Sequence, residues 1–281
     1  LDGTISNTAG TSSLVISGTS SLGGSVTTTS TQTYTGAATL TGNTTLATSS
    51  AQVTFSNTIN SEGSETNNLT VTASETELNG IIGGTRTLGV MDINGTLDLN
   101  AAITNATSID VSGTSNLGAN VTTTGTQTYT GAVTLSTDVT LTTTDSNVTF
   151  SSTMDGDGTA RDLIIDTNGT TGTILFDGLV GANNDLDVIT ITGNLDLDAA
   201  ISNTTSISVS GTSNLGANVT TSGTQTYTGA VTLSAATVTL TTTDSDVTFG
   251  STVDSDAGQT RNLTIDTNGT TGTIQFGGVV G

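Results

Sequence analysis

The residues best suited to chemistry are aspartates that stand two positions apart. Asp155 and Asp157 lie in "MDGDG", and Asp254 and Asp256 occupy the equivalent place 99 residues later (254 − 155). Carboxylate oxygens at this spacing beside Gly suit a hard cation, so these four aspartates form a candidate calcium site. Neither the EF-hand loop nor the nonapeptide calcium repeat is present, and the competing interpretation is a solvated acidic turn. No other cofactor is predicted.

Catalysis has little support in the residue types. The chain contains no His, Cys or Lys, so its many Ser and Thr hydroxyls lack the usual activating bases. Paired carboxylates could still cleave glycosidic bonds. The acidic positions recur along the chain, however, whereas an active site is normally a single constellation. We therefore predict no catalytic residues and no enzyme activity.

The charge balance excludes several partners. The net charge is −21, and the only basic residues are Arg86, Arg161 and Arg261. Nucleic acids and anionic membrane surfaces require a basic footprint, which three scattered arginines do not supply. No apolar run approaches the ~20 residues of a membrane-spanning helix. Arg161 and Arg261 hold equivalent places before a strand, and we expect each to pair with an acid on a neighbouring coil.

The composition is unusual for a globular domain. Hydrophobic residues make up 32% and aromatic residues 3% of the chain, below the apolar share of an ordinary packed domain. Low hydrophobicity with high net charge is also typical of disorder. The absence of Pro and the ordered alternation of apolar residues favour a folded chain instead.

The chain is built from nearly three copies of one unit. Every tyrosine lies in a "TQTYTGA" phrase, and the three tyrosines are 95 (129 − 34) and 98 (227 − 129) residues apart. The spacing defines super-repeats at approximately 1–98, 99–196 and 197–281, the last one incomplete. The chain starts and stops inside the unit, which is typical of a processed chain or a window from a longer one.

Shorter periods within the unit predict the fold. Apolar residues alternate with Thr, as in Val231-Thr-Leu233 and Val247-Thr-Phe249, and Gly, Asn, Asp and Ser interrupt them every few residues. Segments of roughly 19 or 20 residues predict an all-β fold, one continuous parallel β-solenoid over 1–281. About 14 coils would make a rod of roughly 65–70 Å. An array of β-sandwiches is the rival, but Trp and clear linkers are missing.

Side-chain parity predicts which residues face the core. In "GTQTYTGAVTL", Tyr129 shares parity with Val133 and Leu135, so we expect its ring to point inward and the neighbouring threonines to face water. Asp196 and Asp198 are expected to point outward and deter aggregation. Thr at alternate positions also suggests ice binding, but the phrase occurs in only one coil of about five.

The amino-acid sequence of the repeat resembles that of known bacterial families. "TGTQTYTGAVTLSTDVTL" (124–141) is similar to the autotransporter-associated β-strand repeat, and the order "SVTTTSTQTYTGAATL … VTF … FGGVVG" resembles the repeat regions of filamentous-haemagglutinin-like surface proteins. The resemblance covers nearly the whole chain. It implies a right-handed parallel β-helix, secretion to the cell surface, and a role in adhesion, matrix or fibre building.

The sequence therefore predicts a structural repeat region of a long extracellular bacterial fibre or stalk. Uncapped coils expose sheet edges, so we expect self-association end to end or side by side. The alternative is an adhesin module that binds glycans or protein through the rod surface. A polysaccharide-cleaving β-helix enzyme is the third hypothesis.

Overall fold

The computed structural model describes residues 3–281, and these residues form strands and loops with no helix. The predicted parallel β-solenoid is confirmed. Its turns average about 21 residues and number about 12, whereas the sequence predicted 19 or 20 residues and about 14 turns. The difference arises because several corners carry inserted loops that lengthen the turn.

The chain divides into two compact units, Leu1–Ala132 and Val133–Gly281. The boundary between them does not coincide with the super-repeat boundaries at 98/99 and 196/197. The first unit contains β1 (Ile5–Ser6), β2 (Leu14–Ile16), β3 (Ser20–Leu22), β4 (Ser25–Thr27), β5 (Gln32–Tyr34), β6 (Ala38–Leu40), β7 (Thr44–Ala47), β8 (Gln52–Phe55), β9 (Ile59–Ser61), β10 (Leu69–Leu78), β11 (Leu88–Leu99), β12 (Ile103–Val111), β13 (Ser115–Leu117), β14 (Val121–Thr123) and β15 (Gln127–Tyr129).

The second unit contains eighteen strands among the described residues. They are β16 (Val133–Leu135), β17 (Val139–Thr142), β18 (Val148–Phe150), β19 (Met154–Gly156), β20 (Arg161–Asp166), β21 (Thr173–Phe176), β22 (Leu186–Thr192), β23 (Asn194–Leu197), β24 (Ile201–Val209), β25 (Ser213–Leu215), β26 (Val219–Thr221), β27 (Gln225–Tyr227), β28 (Val231–Leu233), β29 (Thr237–Thr241), β30 (Val247–Phe249), β31 (Val253–Ser255), β32 (Asn262–Asp266) and β33 (Ile274–Phe276).

In the first unit, parallel pairing arranges the strands in three faces. Strands longer than one face bend at a corner and contribute to two faces. Face 1a contains β1, β4, β7, the start of β10, the middle of β11, the end of β12, and β15. Face 1b contains β2, β5, β8, the ends of β10 and β11, and β13. Face 1c contains β3, β6, β9, Ile82, the start of β12, and β14.

The second unit repeats the three-faced plan. Face 2a contains β16, β19, Val180, the start of β24, β26, β29 and β32. Face 2b contains β17, β20, β22, the end of β24, β27, β30 and β33. Face 2c contains β18, β21, β23, β25, β28, β31 and Val280.

Corner length sets the length of each turn. Ile207 pairs with Gln225, so this turn has 18 residues (225 − 207), with three-residue strands joined by tight corners. Val247 pairs with Ile274, and this turn has 27 residues (274 − 247) because the loops at 256–261 and 267–273 and the five-residue strand β32 are all longer than their counterparts in the 18-residue turn. Strand positions stack in register in both cases, because a loop that projects from a corner leaves the three faces unchanged.

Each strand contributes a single layer of inward-facing side chains, most of them apolar, to the core. Three-residue strands such as Val133–Leu135 bury their first and third residues and leave the central residue outward. Tyr34, Tyr129 and Tyr227 are 0% exposed, which confirms the predicted inward orientation. Rings stack between turns, with centroid distances of 4.8 Å for Tyr34–Phe55 and 5.6 Å for Tyr227–Phe249. Narrow turns filled in this way need few apolar residues.

Equivalent residues of successive copies lie on different faces. Within the first unit, Tyr34 is on face 1b and Tyr129 is on face 1a, separated by four turns and two further faces. A copy therefore spans 14 strand positions (4 × 3 + 2), which is not a multiple of three. The tyrosines are therefore not separated by a whole number of turns, because the copies are out of phase with the turn.

Candidate functional site

Of the aspartates that the sequence predicts as ligands, Asp155 and Asp254 lie in strands β19 and β31, and Asp157 and Asp256 directly follow these strands. Asp155 follows Met154 on β19 and is only 8% exposed. Its Oδ1 accepts the backbone N–H of Asn183 at 2.9 Å and of Asn184 at 3.3 Å, and its Oδ2 accepts the Asn183 Nδ2–H at 2.9 Å. Asn183 and Asn184 belong to the loop one turn later. Asp155 therefore holds the next loop against its own turn.

The first copy performs the same task with a neutral residue. Asn60 stands where the second copy has Asp155, and its Oδ1 accepts the backbone N–H of Thr85 at 2.9 Å and of Arg86 at 3.1 Å. An oxygen acceptor is therefore the shared requirement of this position, and a carboxylate charge is not. Gly83 and Gly181 start these loops with φ of 70° and 68°, a left-handed conformation that glycine adopts readily.

Each of the other two arginines forms a local ion pair. Arg161 contacts Asp157 at 2.9 Å, and Arg261 contacts Asp256 at 2.6 Å. Both acids precede their arginine within the same loop, so the expected pairing with a neighbouring coil was wrong. A short acidic turn brings the two side chains together before the next strand starts. The hydrogen bond from arginine lowers the pKa of each aspartate.

The four predicted calcium ligands are distributed among these contacts. Asp155 binds the next loop, and Asp157 and Asp256 bind arginines. The side chain of Asp254 has no hydrogen-bond partner within residues 3–281. No group of three or more acidic side chains among the described residues is arranged to hold a metal ion. Calcium binding at Asp155, Asp157, Asp254 and Asp256 stays a prediction.

A second pair of aspartates, which the sequence analysis did not identify, caps the loops at 167–172 and 267–273. Asp145 Oδ1 accepts the N–H of Thr171 at 2.7 Å and of Gly172 at 3.1 Å, and these hydrogen bonds lower its pKa. Asp244 accepts the N–H of Thr271 at 2.6 Å in the same way, with the same direction of pKa shift. The signal available was the joint occurrence of "TTDS" and a later "DTNGTTG" in the same copies.

The inward polar pair of each copy was also missed. Gln225 is fully buried, and its Nε2–H groups donate to the carbonyl oxygens of Val219 at 3.1 Å and Thr241 at 2.9 Å. Tyr227 Oη donates to Gln225 Oε1 at 3.3 Å. Gln32 and Tyr34 form the same pair at 3.0 Å. Gln two residues before each tyrosine was the available signal, because parity places both side chains inside.

A polar groove occupies one corner of the second unit. Two turns carry projecting loops at this corner, at 156–160 and 181–185, and the next two turns have tight corners. Because the loops project beyond the tight corners, a notch of about 320 Å³ lies beside them. Its lining includes Asp185, Asn203 and Thr243. The first unit has a groove of about 290 Å³ at the equivalent corner, lined in part by Gly83 and Asn105. These grooves can offer hydroxyl, amide and carboxylate groups to a polar ligand.

Comparisons with protein-family models, curated proteins and solved structures find no match to this chain. The described residues include no helix that could span a membrane.

Proposed function

We propose that the chain is a structural repeat segment of a long extracellular bacterial fibre or surface stalk, without catalytic activity. The observation that carries this proposal is the phase of the repeat. Successive copies place the same residues on different faces, so repetition does not build one chemically uniform face. What every copy preserves is the stacking of each turn on the next. The extracellular placement is supported by the resemblance of the sequence to bacterial surface repeats.

Three kinds of contact join neighbouring turns, and each suits a load-bearing stack. Continuous parallel backbone pairing follows all three faces of each unit. Aromatic rings stack between turns, as in Phe249–Phe276 with centroids 5.1 Å apart. Asp155 on β19 and Asn60 on β9 accept backbone N–H groups from loops of the following turn. Separating two turns must break all three kinds of contact together.

Self-association is proposed from the apolar side chains of the last turn. Ile274, Phe276 and Val280 are 45%, 43% and 55% exposed. Their equivalents in the second copy, Ile174, Phe176 and Val180, are all 0% exposed because a further turn covers them. A stacked turn of the same repeat would bury these side chains and pair the open strand edges. The partner proposed is therefore another turn of this repeat, from the same protein or from a second copy.

Sedimentation of the purified chain against concentration tests the self-association. We expect association to increase with salt, because the net charge of −21 opposes contact between copies. The double variant F276D/V280D should remain monomeric under the same conditions. Val15→Asp, at a 66% exposed apolar position on β2, is the control and should associate like the parent. A parent chain that stays monomeric at every salt and protein concentration would contradict the proposal.

A binding module is the second candidate, and the grooves favour it. Equivalent corners of the two units carry polar notches of similar size. Under this proposal a glycan or peptide would bind there through hydrogen bonds to Asn203 and Asp185. The test is saturable binding on a glycan array that disappears in Asn203→Trp, which fills the notch. Silence of the array with the folded parent chain would leave only the structural role.

A further inference from the structure

Face 2b carries a column of hydroxyl groups on four successive turns. Thr190 lies opposite Ser208, Ser208 opposite Thr226, and Thr226 opposite Thr248. Each residue alternates with buried core residues and therefore points outward. The pairing between β22, β24 and β27 follows 18-residue turns, so these strands stack without a loop inserted between them on this face.

The hydroxyls of this column are free of intramolecular bonds. None of the side chains of Thr190, Ser208, Thr226 and Thr248 has a hydrogen-bond partner within residues 3–281. The neighbouring face 2c differs, since Asp196 and Asn214 at its centre bind each other at 2.7 Å. The column on face 2b therefore presents its hydrogen-bonding capacity to whatever lies outside the protein.

The first three turns of the column are uncharged, whereas Asp246 lies beside Thr248 on the fourth turn and Asp166 lies opposite Thr192 on the preceding turn. The segments 188–192, 206–210 and 224–228 contain no acidic or basic residue, in a chain that carries 24 acids and 3 bases. Their outward side chains are Val, Ser and Thr. Strands of one sheet lie about 4.8 Å apart and alternate residues of a strand about 6.6 Å apart, so the outward groups form a two-dimensional lattice.

We propose that this lattice on face 2b binds ice. Water oxygens on the prism faces of ice repeat at distances close to these two spacings. Unpaired hydroxyls and methyl groups held on such a lattice can order water in register with the crystal. Crystalline polysaccharide is the less suitable partner, because no aromatic side chain is exposed on these four turns to stack on a sugar ring.

In the sequence, "TQTYT" occurs in only one coil of about five, which argues against ice binding. The structure changes the relevant neighbours. The segments "VITIT" (188–192) and "SISVS" (206–210) do not share the "TQTYT" motif. They nevertheless lie beside it on face 2b, in β22 and β24. Together with Thr248 on β30, they extend one Thr row into a four-turn array.

The experiment measures inhibition of ice recrystallisation and adsorption to a growing single ice crystal by the purified chain. Thr226→Lys places a bulky charge at the centre of the array. The matched control is Thr232→Lys, which makes the same change at the centre of the next strand, β28, on face 2c. We expect Thr226→Lys to raise the concentration needed for inhibition about tenfold or more, as for loss of a central contact. Thr232→Lys should leave it unchanged.

Three results would overturn the proposal, provided circular dichroism shows that each variant is folded. The first is a parent chain that neither adsorbs to ice nor inhibits recrystallisation. The second is an equal loss of activity in Thr226→Lys and Thr232→Lys. The third is adsorption to microcrystalline cellulose without adsorption to ice, which would assign the face to a polysaccharide. None of these outcomes depends on whether the chain forms fibres.

Discussion

One turn in each copy places several polar side chains in the core. In the third copy, Ser213, Thr221, Gln225 and Tyr227 all point inward and are at most 2% exposed. Gln225 and Tyr227 satisfy each other and nearby carbonyl groups. Burial raises the pKa of the Tyr227 phenol, so the ring remains a neutral hydrogen-bond donor. Polar groups are tolerated in this core because most of them have partners.

Substitution of Gln225 tests that arrangement. Gln225→Leu removes the donor for the carbonyl oxygens of Val219 and Thr241 and the acceptor for Tyr227. We expect a loss of about 2–3 kcal/mol in the free energy of unfolding, since buried groups are left without partners. Tyr227→Phe removes a single hydroxyl and should cost about 1 kcal/mol. Urea denaturation measures both values, and equal costs would contradict the assignment.

Ser213 is the exception within this turn. Its hydroxyl is buried and has no hydrogen-bond partner among residues 3–281, and the same holds for the equivalent hydroxyls of Ser20 and Ser115. An unsatisfied buried hydroxyl costs about 1–3 kcal/mol. We therefore expect Ser213→Ala to increase the free energy of unfolding, by on the order of 1 kcal/mol. Ser206→Ala, at an outward position, is the control and should not stabilise; thermal unfolding of both variants measures the difference.

At the scale of elements, corner loops are positioned by acceptors in the preceding turn. Asp155 holds the loop at 183–184, Asn60 holds the loop at 85–86, and Asp145 holds the loop at 171–172. The acceptor and the loop it binds are separated by more than 20 residues of sequence. A loop and its cap must therefore occur together within a copy. The first copy has Ser50 in place of Asp145 and no inserted loop after Val71.

Copies two and three provide a matched test of the Asp155 cap. Asp155→Ala removes three hydrogen bonds to the loop at 183–184. We expect amide hydrogen exchange to accelerate there by about tenfold or more, because each lost bond weakens local closure by about 1 kcal/mol. Asp254→Ala changes the equivalent residue, whose side chain has no hydrogen-bond partner within residues 3–281. Exchange that accelerates equally in both variants would show that the cap is not responsible.

At the scale of the whole molecule, acidic residues couple stability to pH. Backbone and side-chain hydrogen bonds lower the pKa of Asp145, Asp244 and Asp246, and hydrogen bonds from arginine lower the pKa of Asp157 and Asp256. A depressed folded-state pKa contributes stability above the unfolded pKa and loses it as pH falls through the folded value. Asp198 has the opposite sign, because burial and then the charges of Asp196 and Asp177 raise its pKa.

The balance between lowered and raised pKa values predicts how the stability of the folded chain changes on acidification. Five depressed carboxylates outweigh one raised carboxylate, so we expect the urea midpoint to fall as pH drops below about 4, the ordinary range of aspartate. The titration should be run at high salt, which screens the repulsion among the remaining acids. The double variant D145N/D244N keeps an oxygen acceptor without the titration and should lose less stability on acidification. A midpoint that rises steadily towards pH 2 would contradict the prediction.

Much of the local structure was readable from the sequence. The alternation in "VTL" and "VTF" predicted short strands, and parity predicted that Tyr129 lies inside and Thr128 outside. The site was less predictable. Asp155 and Asp157 were recognised as a pair, but their partners, Asn183 and Arg161, depend on how one loop stacks on another. Sequence spacing alone does not show which N–H group lies above which carboxylate.

The parallel β-solenoid was predictable from the order of the amino acids, because period-two strands, turn residues and a recurring unit are all visible along the chain. The direction in which each copy faces depends on how the turns close and stack, and it was found only in the folded molecule. A copy contains 14 strand positions, and closure of the coil into three faces makes that number incommensurate with a turn. Tyr34 and Tyr129 therefore occupy different faces, while unrelated phrases such as "VITIT" and "SISVS" become neighbours. The number of faces is set by hydrogen bonding between turns, which is a long-range property.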